Sequence, residues 1–315
     1  MEPSPADADA AVRRAVRRAD ARIRARLGSV THSAWPARVT WLALPLLAGP
    51  ALGDALSGAS RPIQLVASVG SWAVWPVVLV ATLVPTTVSL TALRTAAPGA
   101  AVASGAALVA NGATTASVVG LAAALCAALA DLAPETAEAF VGGSSYGDER
   151  RVALRVPAAL LAGPAELAWL AAVGGVCAGP LLLAARQWVL GALALALGLP
   201  LAWWGARVLH TLARRWLVFV PTGVVVHDPL TLVDPVLLRR ATVRSFEPAP
   251  ADTDALDLTG GASGLALEVR LTEPVSLLPV APRQTPTELT GVTALIVTPS
   301  RPGRALAEAR RRRLG

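Results

Sequence analysis

The chain has no lysine, one methionine, one tyrosine and two cysteines among its 315 residues. All 28 basic residues are therefore arginine, the usage of a very GC-rich coding sequence. The high isoelectric point is then weak ground for nucleic-acid binding, and no nucleic-acid partner is expected. Cys126 and Cys177 fall inside apolar runs, where a thiol packs as a small hydrophobe and no disulfide framework is implied. His32, His210 and His227 stand apart from one another and from both cysteines, so there is no metal-ligand spacing and no cofactor is expected. Charge is scarce as well: 16% charged against 54% hydrophobic lies outside the balance of soluble domains. The excess apolar residues call for a solvent other than water.

Those residues are unevenly spread. Positions 39–210 hold long runs without charge, whereas the first 38 residues and the segment 211–315 hold most of the Arg, Asp and Glu. A spanning helix needs about 20 mainly apolar residues. By that measure we expect an α-helical integral membrane protein with about six transmembrane helices, at 39–56, 65–91, 97–111, 114–132, 157–183 and 188–209. The polar patch Asn111 to Thr115 divides the third from the fourth, and Arg186 with Gln187 forms the tip of the last hairpin.

Orientation follows from the distribution of arginine near the span ends. With the N-terminus inside, one side receives 15 arginines, from Arg13 to Arg215, and the other only Arg61 and Arg186. The expected location is the cell membrane, multi-pass, with both termini cytoplasmic. Trp35, Trp41, Trp188, Trp203 and Trp204 near span ends fit interfacial anchors. Met1 to Ala10 is acidic and the first apolar run starts near Val39 after eight arginines, which is not the pattern of a secretory signal. Over residues 7–28, Val12, Val16, Ile23 and Leu27 share one side of a basic amphipathic helix. That helix either lies on anionic lipid headgroups or stands in solvent and fixes topology.

After Arg214 the pattern changes to short β-type runs: Trp216–Val220, Gly223–Val226, Val236–Phe246, Leu265–Leu271 and Thr293–Val297. Pro221-Thr222-Gly223 reads as a hairpin turn and Gly260-Gly261 as a loop. Ser300, Pro302 and the run Ala305 to Arg313 read as a capped helix at the C-terminus. The fold expected for 211–315 is a small β-rich domain closed by a helix. The run from Arg215-Trp216-Leu217-Val218-Phe219-Val220 into Gly223-Val224-Val225-Val226-His227-Asp228, then Val236-Leu237-Leu238 and the terminal helix, resembles the bacterial PH-like domains attached to multi-pass membrane proteins. The whole layout, with Ser144 to Arg151 and Thr298 to Gly303, resembles a group of actinobacterial membrane proteins of unknown function. The resemblance implies a cytoplasmic module that binds a protein partner or lipid headgroups.

Candidate functional residues are few. Glu166 sits inside the expected fifth span, and a charge at the bilayer centre costs about 2.5–3.5 kcal/mol, so it marks either an ion or substrate pathway, a helix lock, or a span shifted towards one end. Pro85 with Thr86 and Thr87, and Gly179-Pro180, interrupt helices, either to free carbonyls or simply to pack closely. The loop carrying Asp148, Glu149, Arg150 and Arg151 could dock the C-terminal domain or pair locally in solvent. His227-Asp228 cannot act as a pair, because neighbours on a strand point to opposite faces. Ser144-Ser145 lacks the Gly-x-Ser-x-Gly context of a hydrolase. With no catalytic signature, the expectation is a non-enzymatic membrane protein anchoring a PH-like module. The alternative is a small transporter or channel with Glu166 in its pathway.

Overall fold

The computed structural model describes residues 34–280 and 289–315; the amphipathic helix expected over 7–28 and His32 lie outside them. Six helices among the described residues are long and apolar enough to cross a membrane: Trp35–Leu56, Arg61–Leu83, Thr87–Asn111, Thr115–Leu132, Pro164–Ala184 and Trp188–Ala213. We call these spans 1 to 6. They are the spans of a multi-pass membrane protein, and their outward faces carry exposed apolar side chains such as Val109 and Leu46, 86% and 81% exposed.

Span 1 is two helices, α1 (Trp35–Leu47) and α2 (Gly49–Leu56), broken at Ala48 where Pro50 opens the second. Spans 2 and 3 are α3 (Arg61–Leu83) and α4 (Thr87–Asn111). Their boundary differs from the expected 65–91 and 97–111. Pro85 ends the second span, and the Thr86 hydroxyl caps the third by accepting from Ser89 N at 3.1 Å, so the third gains ten residues. A Ser/Thr hydroxyl satisfies one of the free N–H groups of a first turn, and apolar content alone does not register it. Span 4 is α5 (Thr115–Leu132), capped in the same way by Thr114 after Gly112. The short α6 (Pro134–Gly143) follows, then strand β1 (Arg150–Ala153) and one turn of helix, α7 (Ala158–Leu161). Span 5 is α8 (Pro164–Ala184), starting seven residues later than the expected 157, and span 6 is α9 (Trp188–Ala213).

Polar groups clamp the spans in pairs. Trp41 Nε1 donates to Trp75 O at 2.9 Å and Trp75 Nε1 donates back to Trp41 O at 3.0 Å. Trp41 is 3% exposed and is thus a clamp between spans 1 and 2 rather than an interfacial anchor. Trp169 Nε1 reaches Thr95 O at 2.9 Å, and Asn111 Nδ2 reaches Ala51 O at 2.8 Å. Spans 5 and 6 meet on glycine: a Cβ on Gly198 would lie 2.6 Å from Gly175 O, and one on Gly205 would overlap Ala168 O. Small residues let helix backbones approach this closely where no hydrophobic drive exists between helices in lipid. Pro180 lies inside α8 beside Gly179, whose missing side chain makes room for Leu195.

The C-terminal region holds β2 (Trp216–Val220), β3 (Gly223–His227), β4 (Val236–Arg239), β5 (Val243–Pro248), β6 (Leu256–Asp257), β7 (Leu267–Leu277), β8 (Leu289–Val297) and helix α10 (Pro302–Arg311). Two four-stranded sheets form, in the orders β1-β2-β3-β4 and β5-β7-β8-β6; all pairs are antiparallel except β6 with β8. The expected strand 236–246 is divided, β4 going to the first sheet and β5 to the second, because the turn at 240–242 sends the chain across. Gly223 opens β3 with φ +156°, where a Cβ would strike Leu238 O. Alternate residues of both sheets (Leu217, Phe219, Val224, Leu238, Leu267, Leu295) share one core with Ala305 and Ala309 of α10. The Phe219 and Phe246 rings lie 5.8 Å apart across it.

Candidate functional site

The edge strand of the first sheet comes from elsewhere in the chain. β1 lies in the loop between spans 4 and 5 and pairs with β2 in the register Arg150↔Phe219, Arg151↔Val218, Val152↔Leu217, Ala153↔Trp216. Spans 5 and 6 are therefore inserted between two neighbouring strands of one sheet. Hydrogen bonds close the junction: Leu154 N donates to Arg215 O at 3.0 Å, Arg155 N to Thr298 O at 2.9 Å, and Ser300 N to Ala153 O at 2.8 Å. The hairpin leaves the sheet at one strand and returns at the next, held on both sides.

At its point of return stands a buried ion pair. Arg215 and Asp228 are each 2% exposed. Nε and Nη2 of Arg215 donate to the two carboxylate oxygens at 2.7 and 2.6 Å, and Nη1 donates to Arg155 O at 2.5 Å. The planar fork of arginine matches a carboxylate in this two-bond geometry. Asp228 also accepts from Leu230 N at 3.1 Å, which sets the turn after β3. Its neighbour His227 points the other way and stacks on Trp216, ring centroids 4.7 Å apart, as alternation along a strand requires. Burial, aided by the Arg214 charge and opposed by Asp228, holds the His227 imidazole below its ordinary value.

A second set of charges ties α6 to α10. Glu138, 6% exposed, accepts from Arg304 Nη1 at 2.5 Å and Arg301 Nη1 at 3.4 Å, while Arg301 Nε lies 3.5 Å from Glu135. Burial holds the Glu138 carboxyl above its ordinary value against the lowering pull of Arg304 and Arg301.

Between these two contacts, where spans 3, 4 and 6 meet α6 and the sheets, lies a cavity of about 150 Å³. Arg94, Arg155, Arg215 and Ser300 line it together with apolar residues such as Leu90 and Leu212. Arg94 Nε and Ser300 Oγ are inaccessible to solvent and have no hydrogen-bond partner. Asp131, 1% exposed at the end of span 4, likewise leaves both carboxylate oxygens unbonded and is the charge that acts on Arg94.

The structure does not place Glu166 at mid-bilayer. It is the third residue of α8, exposed, with Oε2 accepting from Gly163 N at 2.8 Å. This is the span shifted towards one end: the carboxylate caps its own helix, at the end where the helix dipole favours a negative charge. The loop residues are placed against the C-terminal sheets. Arg150 and Arg151 belong to β1, the Arg151 guanidinium lies 5.7 Å over the Trp216 ring, and the backbone carbonyl of Asp148 accepts from Arg312. Glu149 lies 3.3 Å from Arg151 and accepts from Tyr146 N at 3.1 Å. Pro85 marks the boundary of spans 2 and 3 rather than a break inside one.

The sequence reading missed Arg94, Asp131, Ser300 and the partnership of Arg215 with Asp228. Arg94 falls between the expected spans 65–91 and 97–111. Reading Thr86 as a helix cap puts Arg94 about two turns inside the third span, which was the available signal. No family model, no curated protein and no solved structure matches the chain.

Proposed function

We propose that the chain is a non-enzymatic cell-membrane protein with both termini cytoplasmic, whose sheets and closing helix form a PH-like module that binds a protein partner or anionic lipid headgroups. The observation that carries this is the split sheet. A four-stranded sheet, a second four-stranded sheet and a terminal helix packed into their shared core fit the parts expected of such a module, and here the first strand is supplied by the loop between spans 4 and 5. A module joined at β1, at β2 and through Glu138 is presented in a fixed pose, which suits recognition at the membrane surface. Three carboxylates that could have served chemistry are held by structural partners instead, Asp228 by Arg215, Glu138 by two arginines and Glu166 by its own helix end, which supports the non-enzymatic part of the reading. The test is photocrosslinking from the exposed edge β4, with the crosslinker at Leu237 or Arg239 in the full-length protein in native membranes. Discrete protein adducts identify a protein partner and phospholipid adducts identify headgroups. Adducts no different from those of a crosslinker at lipid-facing Val109 would remove the binding reading.

A further inference from the structure

We infer that the exposed stripe Trp203, Arg207 and Arg214 of span 6 is a binding site for an anionic phospholipid, whose phosphate lies between the two guanidinium groups. The stripe follows from helical spacing. Positions 203, 207 and 214 recur on one side of a helix, and all three residues are exposed. Other faces of the span are taken: Gly198 and Gly205 meet the backbone of span 5, and His210 Nδ1 lies 3.0 Å from Thr91 Oγ1 of span 3. The stripe therefore faces lipid.

Depth places the two cations at the level of a phosphate. Span 6 is 26 residues long, about 39 Å at 1.5 Å per residue, against a hydrocarbon layer of about 30 Å. Its first residue, Trp188, is 67% exposed and follows the hairpin tip at Arg186 and Gln187, where an indole anchors a span at the interface. Measured from there, Arg207 lies about 29 Å along the axis, at the far edge of the hydrocarbon, and Arg214 about 39 Å along it, on the outer side of the headgroups. Arginine side chains stretch along a helix to bring their charge into that layer.

Charge decides the occupant. Arg207 Cζ lies 4.7 Å from the centroid of the Trp203 ring, a contact that holds the guanidinium without supplying a counter-charge. Among the described residues, neither Arg207 nor Arg214 has an ion pair or a side-chain hydrogen bond. Two carboxylates of the adjoining region are held elsewhere, Asp228 by Arg215 and Glu149 by Arg151. A cation at the edge of the hydrocarbon is short of water on one side, and the lipid phosphates at that level are its available counter-charge. Arginine binds phosphate oxygens in pairs through its planar donors. Towards the bilayer centre the stripe continues through Leu199 and Ala196, both exposed, an apolar track for the acyl chains. The site belongs to the bundle and is independent of what the edge β4 recognises.

The test uses full-length protein in nanodiscs of phosphatidylcholine that carry a small fraction of a photoreactive lipid with a diazirine in its acyl chain, either phosphatidylglycerol or phosphatidylcholine. Crosslinks are mapped by mass spectrometry, and the readout is the yield between Ala196 and Trp203 for the anionic probe relative to the zwitterionic one. One basic residue near an anionic surface strengthens binding about fivefold, so we expect a ratio of about 25 in the wild type, about five in Arg207→Gln or Arg214→Gln, and about one in the double variant. Arg310→Gln with Arg313→Gln, which removes the same charge from the exposed end of α10, should leave the wild-type ratio unchanged. Equal labelling by the two probes in the wild type overturns the proposal whether or not any variant folds. So does a double variant, folded by circular dichroism, that keeps the wild-type ratio, or a control pair that lowers the ratio as far as the double variant does.

Discussion

Replacing Asp228 by alanine tests the junction most directly. The carboxylate accepts two bonds from Arg215, at 2.7 and 2.6 Å, in a site where each residue is 2% exposed. A hydrogen bond to a charged group contributes about 1.5–3 kcal/mol. Deleting one partner of a buried pair costs about 3–5 kcal/mol in total, because the surviving charge is left without water or counter-ion. Arg215 keeps its bond to Arg155 O, which places the expected loss near the lower end, about 3 kcal/mol. For a cooperative unit of about 100 residues, each kcal/mol moves the melting temperature by about 4–8 °C, so a drop of about 15 °C is expected. The assay is thermal unfolding in detergent followed by tryptophan fluorescence, since Trp216 adjoins the pair in sequence and β1 in the sheet. The double variant Asp228→Leu with Arg215→Met should recover much of the loss, because two apolar residues of similar volume leave no stranded charge. A drop below about 3 °C in the single variant, or a double variant less stable than the single, would refute the reasoning.

Three further perturbations address other parts of the structure. His227 is held below its ordinary value of 6.5, so the unfolded chain takes up a proton more readily than the folded one. The stabilisation from neutral His227 is complete above about pH 6.5 and is lost as pH falls below it; His227→Asn should therefore flatten the melting temperature between pH 7 and pH 5 relative to wild type, and identical slopes would contradict this. Gly198→Leu places a Cβ 2.6 Å from Gly175 O and should part spans 5 and 6, with overpacking costs of about 1–3 kcal/mol or more; Gly70→Leu, which meets nothing within 4 Å, is the control expected to melt with the wild type. Phe219→Ala removes a fully buried ring from the shared core and should cost about 3–5 kcal/mol, read as a lower denaturant midpoint for the sheet signal in circular dichroism.

The six spans were legible in the sequence because a bilayer imposes length and hydropathy locally, and both can be counted along the chain. The boundary near Pro85 was misdrawn for a local reason too: the apolar run continues through it, and only the Thr86 cap reveals that a new helix begins. Strands β2 and β3 were legible as short β-type apolar runs on either side of the turn at Pro221-Thr222-Gly223. The two-residue β6 was not, since Leu256-Asp257 is too short to carry a period. The division of 236–246 depends on which sheet each half joins, a fact about distant partners.

What could not be read was the junction. Arg150-Arg151-Val152-Ala153 has no strand pattern of its own: two arginines followed by two apolar residues are as much a charged loop as an edge strand. Their conformation is dictated by β2, which lies more than 60 residues further on, and loop-closure entropy rises only slowly with such separation. The inserted hairpin keeps that closure short in space, because spans 5 and 6 are antiparallel and packed on glycine, returning Arg215 to Leu154 within hydrogen-bond distance. The glycines of spans 5 and 6 thus let the hairpin close tightly between the two strands that it joins. A hairpin pinned to adjacent strands at both ends cannot tilt without pulling on that ladder.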